Sequence, residues 1–188
     1  PYTLFKGVKK LPPGHYMCCR VKERNIEFDV LSYDIHKVQY CDLSFGEAVK
    51  IYGERFDKAV ERQMMSDVEL GILLSGGIDS ALVASSAIKH STQKLKAFTV
   101  GFDSKFAVNE LDNAAYTAKQ FGLEHHTVKI SSSSFFSIFE ECSRIVEEPL
   151  ATTSFIPMYY LSKLAAQTVK VVLTGQGADE PLGGYGRY

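Results

Sequence analysis

The residues best suited to chemistry lie close together. Ser75-Gly76-Gly77-Ile78-Asp79-Ser80 combines hydroxyls, adjacent glycines and a carboxylate in one short stretch. Glycines remove side chains from a turn and let backbone amides converge on an anion. Ser75 and Ser80 add hydroxyl donors. Asp79 would repel a phosphate unless a divalent cation lies between the two, so this loop points to phosphate held with Mg²⁺. A second stretch, Thr174-Gly175-Gln176-Gly177-Ala178-Asp179-Glu180, repeats the pairing of glycines with acids. Glycines on both sides of Gln176 would let a nucleotide approach the backbone, and Asp179-Glu180 could hold Mg²⁺. Alone, that acidic pair reads equally well as a solvated turn. Opposite the first loop it reads as part of a site.

These loops need elements to hold them. Leu70, Ile72, Leu73 and Leu74 form an apolar run too short for a helix, so a strand enters the first loop. Good helix formers from Ser80 to Ile88 predict a helix leaving it, whose dipole favours an anion at its start. The loop lacks the Gly-Lys-Ser/Thr of a Walker A motif, and G-x-G-x-x-G is absent. Further strands are predicted at 95–101, 126–130 and 169–173. Helices are predicted over Leu111–Phe121, over Phe135–Val146 after the serine run 131–134, and over Phe155–Gln167 with Ser154 as its cap. Strands separated by helices imply an α/β fold with a doubly wound, mainly parallel sheet. In such a sheet ligands bind beyond the carboxyl ends of the strands, where both glycine-rich turns lie.

The segment before this pattern is different. His15–Val21 and Ile26–Leu31 read as a hairpin, and Ile26, Phe28 and Val30 alternate with acids as in a half-buried strand. Ser44-Phe-Gly-Glu47 fits a capping box for a helix carrying Phe45, Val49, Tyr52, Phe56, Val60 and Met64 on one face. The predicted organisation is a β-hairpin remnant over 1–43 and a larger domain over 44–188. The sequence starts at Pro1 rather than methionine and Tyr188 directly follows a glycine-rich motif, so a piece of a longer protein is expected.

Composition narrows the function classes. The chain has 188 residues, 45% hydrophobic content and a net charge of −1. That charge gives no electrostatic footprint for nucleic acid or an anionic membrane. No apolar run approaches the roughly 20 residues needed to span a bilayer. Cys18, Cys19, Cys41 and Cys142 have no C-x-x-C spacing, so neither a zinc site nor a disulfide framework is expected, and a cytoplasmic setting is. His125-His126 would face opposite ways on a strand, favouring structural hydrogen bonding over a metal site. Glu147-Glu148-Pro149 with Ala151–Ser154 reads either as a solvated turn or as pocket lining.

Taken together the stretches resemble the synthetase domain of glutamine-dependent asparagine synthetases. That domain is of the ATP pyrophosphatase type (adenine nucleotide alpha hydrolase-like). The resemblance runs through Ser75–Ser80, Phe98–Gly101, Gly122–His126, Glu148-Pro149, Pro157–Ser162 and Leu173–Tyr188, while Leu4–Tyr16 resembles the end of that family's glutaminase domain. It implies that ATP adenylates a small carboxylate, aspartate in the family's usual reaction, that pyrophosphate leaves, and that ammonia from a glutaminase domain attacks the acyl-adenylate. On that pattern Ser75, Gly76, Gly77 and Ser80 hold pyrophosphate. Asp79 and Asp179 match magnesium ligands, Leu73 and Val100 flank adenine, and Gly175 lies near the nucleotide. The family allows a homodimer among its arrangements.

Departures from the pattern open alternatives. The family's amino-terminal cysteine nucleophile and a later pyrophosphate-binding lysine have no counterpart in this chain, so it is not expected to hydrolyse glutamine. Gln176 stands where the family usually has a glutamate assigned to catalysis, and Glu180 is the nearest carboxylate that could compensate. A related ligase acting on another carboxylate, such as a β-lactam synthetase-like enzyme or a glycan amidotransferase, fits the same motifs. So does a catalytically silent nucleotide-binding module.

Overall fold

In the computed structural model the described residues are 2–23, 25–33, 40–103, 110–146, 149 and 152–186. The chain divides into two compact units, Pro1–Ser44 and Phe45–Tyr188.

The first unit contains an antiparallel hairpin of β1 (His15–Lys22) and β2 (Asn25–Ser32). Its register pairs Cys18 with Asp29 and Cys19 with Phe28, so the adjacent cysteines point to opposite faces. Arg20–Asp29 at 2.7 Å and Lys22–Glu27 at 2.6 Å tie the strands across the surface. The expected half-burial of β2 is not found: Ile26, Phe28 and Val30 are exposed. A two-stranded ribbon has no second layer of its own to cover its apolar face.

The second unit is the α/β domain. Its elements are α1 (Phe45–Gln63), β3 (Leu70–Leu73), α2 (Ile78–Lys89), β4 (Lys96–Phe102), α3 (Leu111–Gln120), β5 (Glu124–Ile130), α4 (Ser132–Ser137), α5 (Phe139–Val146), α6 (Phe155–Ala165), β6 (Val171–Leu173) and α7 (Asp179–Leu182). The sheet is four-stranded in the order β5-β4-β3-β6, and every pairing in it is parallel. Ile72 of the central strand lies between Ala97 of β4 and Leu173 of β6. The chain therefore runs outward from β3 to β5, then returns to the other side of β3 with β6. That reversal places a crevice between the carboxyl ends of β3 and β6.

Alternation along the strands builds a core on each face. Ile72, Leu74 and Ala97 pack with Val60 of α1, Ala84 and Ala87 of α2, and Ala114 and Ala118 of α3. On the opposite face Phe98 packs with Leu161 and Ala165 of α6 and with Val169. Full burial of a side chain such as Ile72 or Phe98 contributes about 1.5–3 kcal/mol. Gly71 makes room for this second core, because a Cβ there would meet the Phe98 ring at 2.5 Å.

Several local expectations are corrected. The single helix over Phe135–Val146 is two helices with a break at Ile138. Ser137 Oγ donates to the Ser134 carbonyl at 3.0 Å, a local bond that competes with helix continuation. Ser131 does cap α4, accepting from the Ser134 amide at 3.1 Å. Ser154 makes no cap bond to α6; its hydroxyl pairs with that of Thr152 at 2.9 Å. Only the later part of α1 reaches the core, since Phe45 and Val49 are exposed. The acids Glu147 and Glu148 lie outside the described residues.

Candidate functional site

Beyond the carboxyl ends of β3 and β6 lies a cleft of about 300 Å³. Leu73, Ser75, Asp79 and Ser80 line one side, with Val100 and Thr99 from β4. Gly175, Gln176, Gly177 and Asp179 line another, and Met158 and Leu161 of α6 add apolar wall. Both glycine-rich stretches therefore face one cavity. A strand of the sheet, β3 or β6, delivers each of them there, and the sheet's reversal sets them side by side.

The first loop is held by its own hydroxyls. The Ser75 amide donates to Ser80 Oγ at 3.1 Å, the two serine Oγ atoms lie 2.9 Å apart, and the Gly77 amide donates to Ser75 Oγ at 3.1 Å. Gly77 occupies the cap position of α2 without a side-chain cap bond, so the helix start presents backbone donors rather than a capped end. The Gly76 amide donates to Glu110 Oε2 at 3.0 Å. Glu110 stands at the start of α3 and also lines the cleft.

The second loop touches the first. A Cβ at Gly175 would lie 2.8 Å from the Ser80 backbone nitrogen and 3.2 Å from Asp79 Cβ. The Gln176 amide donates to Thr174 Oγ1 at 3.1 Å, closing the turn. Gly177 has a φ of +98°, which glycine adopts without strain. Asp179 then opens the single-turn α7, whose left-handed C-cap is Gly183. A Cβ at Gly184 would collide with the Asp179 carboxylate, so this second glycine pair allows the chain to fold back over that acid.

A polar chain supports the floor. Thr99 Oγ1 donates to the Leu74 carbonyl at 2.7 Å and lies 2.8 Å from His125 Nε2. The hydroxyl has one proton, so His125 carries its own on Nε2 and donates it to Thr99. Burial, followed by the neighbouring His126, pushes the His125 pKa down, which keeps the ring neutral. His126 instead stacks on Phe98, with ring centroids 5.3 Å apart. The pair is structural and faces two ways.

Among the described residues that line the cleft, Asp79, Glu110 and Asp179 are carboxylates and none is a lysine, arginine or histidine. A polyanion would enter such a cleft only with cations. Asp79 and Asp179 fit Mg²⁺, which takes one or two carboxylates and fills its remaining positions with phosphate oxygens and water. No cluster of three or more potential metal ligands occurs among the described residues.

Of the residues singled out from sequence, Leu73, Ser75, Asp79, Ser80, Val100, Gly175, Gln176 and Asp179 line the cleft. Gly76 and Gly77 form the loop behind it. Glu180 does not line it; its Oε1 accepts from the Tyr185 hydroxyl at 3.0 Å, and Tyr185 does line it. Sequence reasoning missed Glu110 and Tyr185. An acid at a helix start reads as an ordinary dipole partner, so no local pattern set Glu110 apart.

The asparagine synthase family profile matches residues 52–188, a span that contains every cleft residue. The chain belongs to the asparagine synthase family. Asparagine synthetase (glutamine-hydrolyzing) 1 of Bacillus subtilis is 34% identical to it over 100% of this chain and 29% of the relative. Amidase chry2 of Gibberella zeae is 34% identical over 97% of this chain and 30% of the relative. The chain thus spans less than a third of the length of these curated relatives. Among solved structures, an NH3-dependent NAD synthetase from Campylobacter jejuni superimposes with a TM-score of 0.47 at 21% identity, covering 73% of this chain and 60% of that one. Within the asparagine synthase family region, no helix among the described residues is long and apolar enough to cross a membrane.

Proposed function

We infer that this chain supplies the ATP-binding part of an asparagine-synthetase-type carbon–nitrogen ligase with an ATP pyrophosphatase domain. The observation that carries the reading is the meeting of Ser75–Ser80 and Thr174–Asp179 in one cleft at the sheet's switch point. ATP lies with adenine between Leu73 and Val100, and its phosphates lie on the Ser75–Ser80 loop at the start of α2. Asp79 and Asp179 would hold Mg²⁺, which when bound would offset charge developing on the departing pyrophosphate. The backbone and hydroxyl donors of the loop serve the same charge from fixed positions. The substrate carboxylate, that of aspartate, is activated as an acyl-adenylate, and ammonia from a glutaminase domain displaces AMP. Residues 1–43 are the remnant of that glutaminase domain, and 44–188 begin the synthetase domain. The setting is cytoplasmic.

A second acceptor class is also supported. Amidase chry2 is as similar to the chain as the Bacillus subtilis asparagine synthetase is. The same activation chemistry with a carboxylate other than aspartate therefore stands as the alternative.

The test uses the full-length protein and follows pyrophosphate release with Mg·ATP and ammonium. Release that depends on aspartate supports the asparagine-forming reading. Release that depends on another carboxylate moves the reading to the second class. Mg·ATP binding with no release in the presence of any acceptor would reduce the protein to a nucleotide-binding module.

A further inference from the structure

The phosphate loop of this structure already carries an anion. The Ser75 and Gly77 amides are satisfied by the loop's own neutral hydroxyls, whereas the Gly76 amide is satisfied by the Glu110 carboxylate, 34 positions along the chain. The contact is close on the backbone side as well. A Cβ at Gly76 would lie 3.0 Å from Glu110 Cβ and 3.0 Å from Asn113 Cβ, so only glycine lets α3 approach the loop this tightly. Glu110 is exposed, lines the cleft, and has no part in either core. Its side chain is free to turn away without disturbing buried packing.

The geometry points to Glu110 as an internal competitor for the phosphate position, a carboxylate that accepts from the Gly76 amide and yields it to a nucleotide phosphate. This inference rests on the nucleotide reading given above. Its physical basis is that a carboxylate oxygen and a phosphate oxygen are alternative acceptors for one backbone donor. A glutamate left beside a bound phosphate would also repel it, because Asp79, Glu110 and Asp179 already make the cleft acidic. Glu110 would then weaken the binding of polyphosphate, the free form more than the Mg²⁺-complexed one. It would leave binding of the uncharged nucleoside alone.

Calorimetry on the full-length protein separates the possibilities, using Mg·ATP, magnesium pyrophosphate and adenosine against wild type, Glu110→Gln and Glu110→Ala. Circular dichroism confirms that each variant is folded. One unit charge at about 4 Å in water corresponds to about fivefold in affinity. Both variants are expected to bind Mg·ATP and pyrophosphate about fivefold more tightly than wild type, with adenosine unchanged. If Glu110→Gln matches wild type and Glu110→Ala binds more weakly, Glu110 supports the loop and the competitor role is wrong. Unchanged affinities in both variants overturn it too. If neither wild type nor variants bind Mg·ATP or adenosine, the nucleotide reading itself fails, and the inference with it.

Discussion

Gly175 lies against Ser80 so closely that an added Cβ would stand 2.8 Å from the Ser80 backbone nitrogen. The contact locks the turn after β6 onto the start of α2, so the two glycine-rich loops form one surface. The obstruction is backbone, which cannot rotate aside as a flexible side chain would. Gly175→Ala is therefore expected to cost about 1–3 kcal/mol of stability, as overpacking does. It should also weaken Mg·ATP binding by displacing the loop's donors. Urea midpoints and calorimetry check both effects, and a variant equal to wild type in both would show that the loops do not depend on each other.

Asp79 belongs to the loop's first helical turn yet faces the cleft. If it holds Mg²⁺ against phosphate, Asp79→Ala should weaken Mg·ATP by about tenfold or more, the worth of a charged contact. AMP should lose far less, because the walls formed by Leu73 and Val100 are untouched. Equal losses for the two ligands would remove Asp79 from the metal's ligand set.

The His125–Thr99–Leu74 chain makes stability depend on pH. The folded ring has a lowered pKa, caused mainly by burial, while in the unfolded chain it titrates near its ordinary 6.5. As pH falls through that ordinary value, the unfolded state takes up a proton that the folded state refuses, so stability drops. The loss levels off once pH passes below the folded pKa, and above the ordinary value His125 has no effect. Urea midpoints for wild type and His125→Gln should run parallel at pH 7–8 and converge or cross as pH falls below 6.5. Parallel curves across the whole range would contradict the half-buried neutral ring.

What the sequence revealed and what it hid follow from the range of the interactions. β3, β4, β5 and β6 were legible because apolar runs of strand length alternate with helical segments. Ser75–Ser80 was legible as a loop at the cleft because its hydroxyls, glycines and carboxylate stand in consecutive residues. The contacts that assemble the site are long-range and were not. Nothing near Glu110 announces that it meets Gly76, and nothing near Tyr185 shows that it lines the cleft while holding Glu180. The exposed face of β2 shows the opposite error, in which a correct strand pattern implied a burial that a lone ribbon cannot supply.

Gln176 and Glu180 carry the last prediction. Gln176 lines the cleft, but its amide can neither take a proton from attacking ammonia nor balance the charge that forms on nitrogen. Glu180 has the carboxylate and lies off the lining, bound to the Tyr185 hydroxyl at 3.0 Å. Any effect it has on the cleft is therefore expected to pass through Tyr185. In the full-length protein, Gln176→Glu should leave Mg·ATP affinity nearly unchanged and raise the ammonia-dependent rate, by up to about 10²-fold if general base catalysis is restored. Glu180→Gln and Tyr185→Phe should each lower the rate, and the double variant should be no slower than the worse single one, since they break the same link. Their pH profiles should shift together. If Gln176→Glu abolishes turnover while Glu180→Gln and Tyr185→Phe are silent, the compensation is wrong and the glutamine amide has a positive role at the reacting centre.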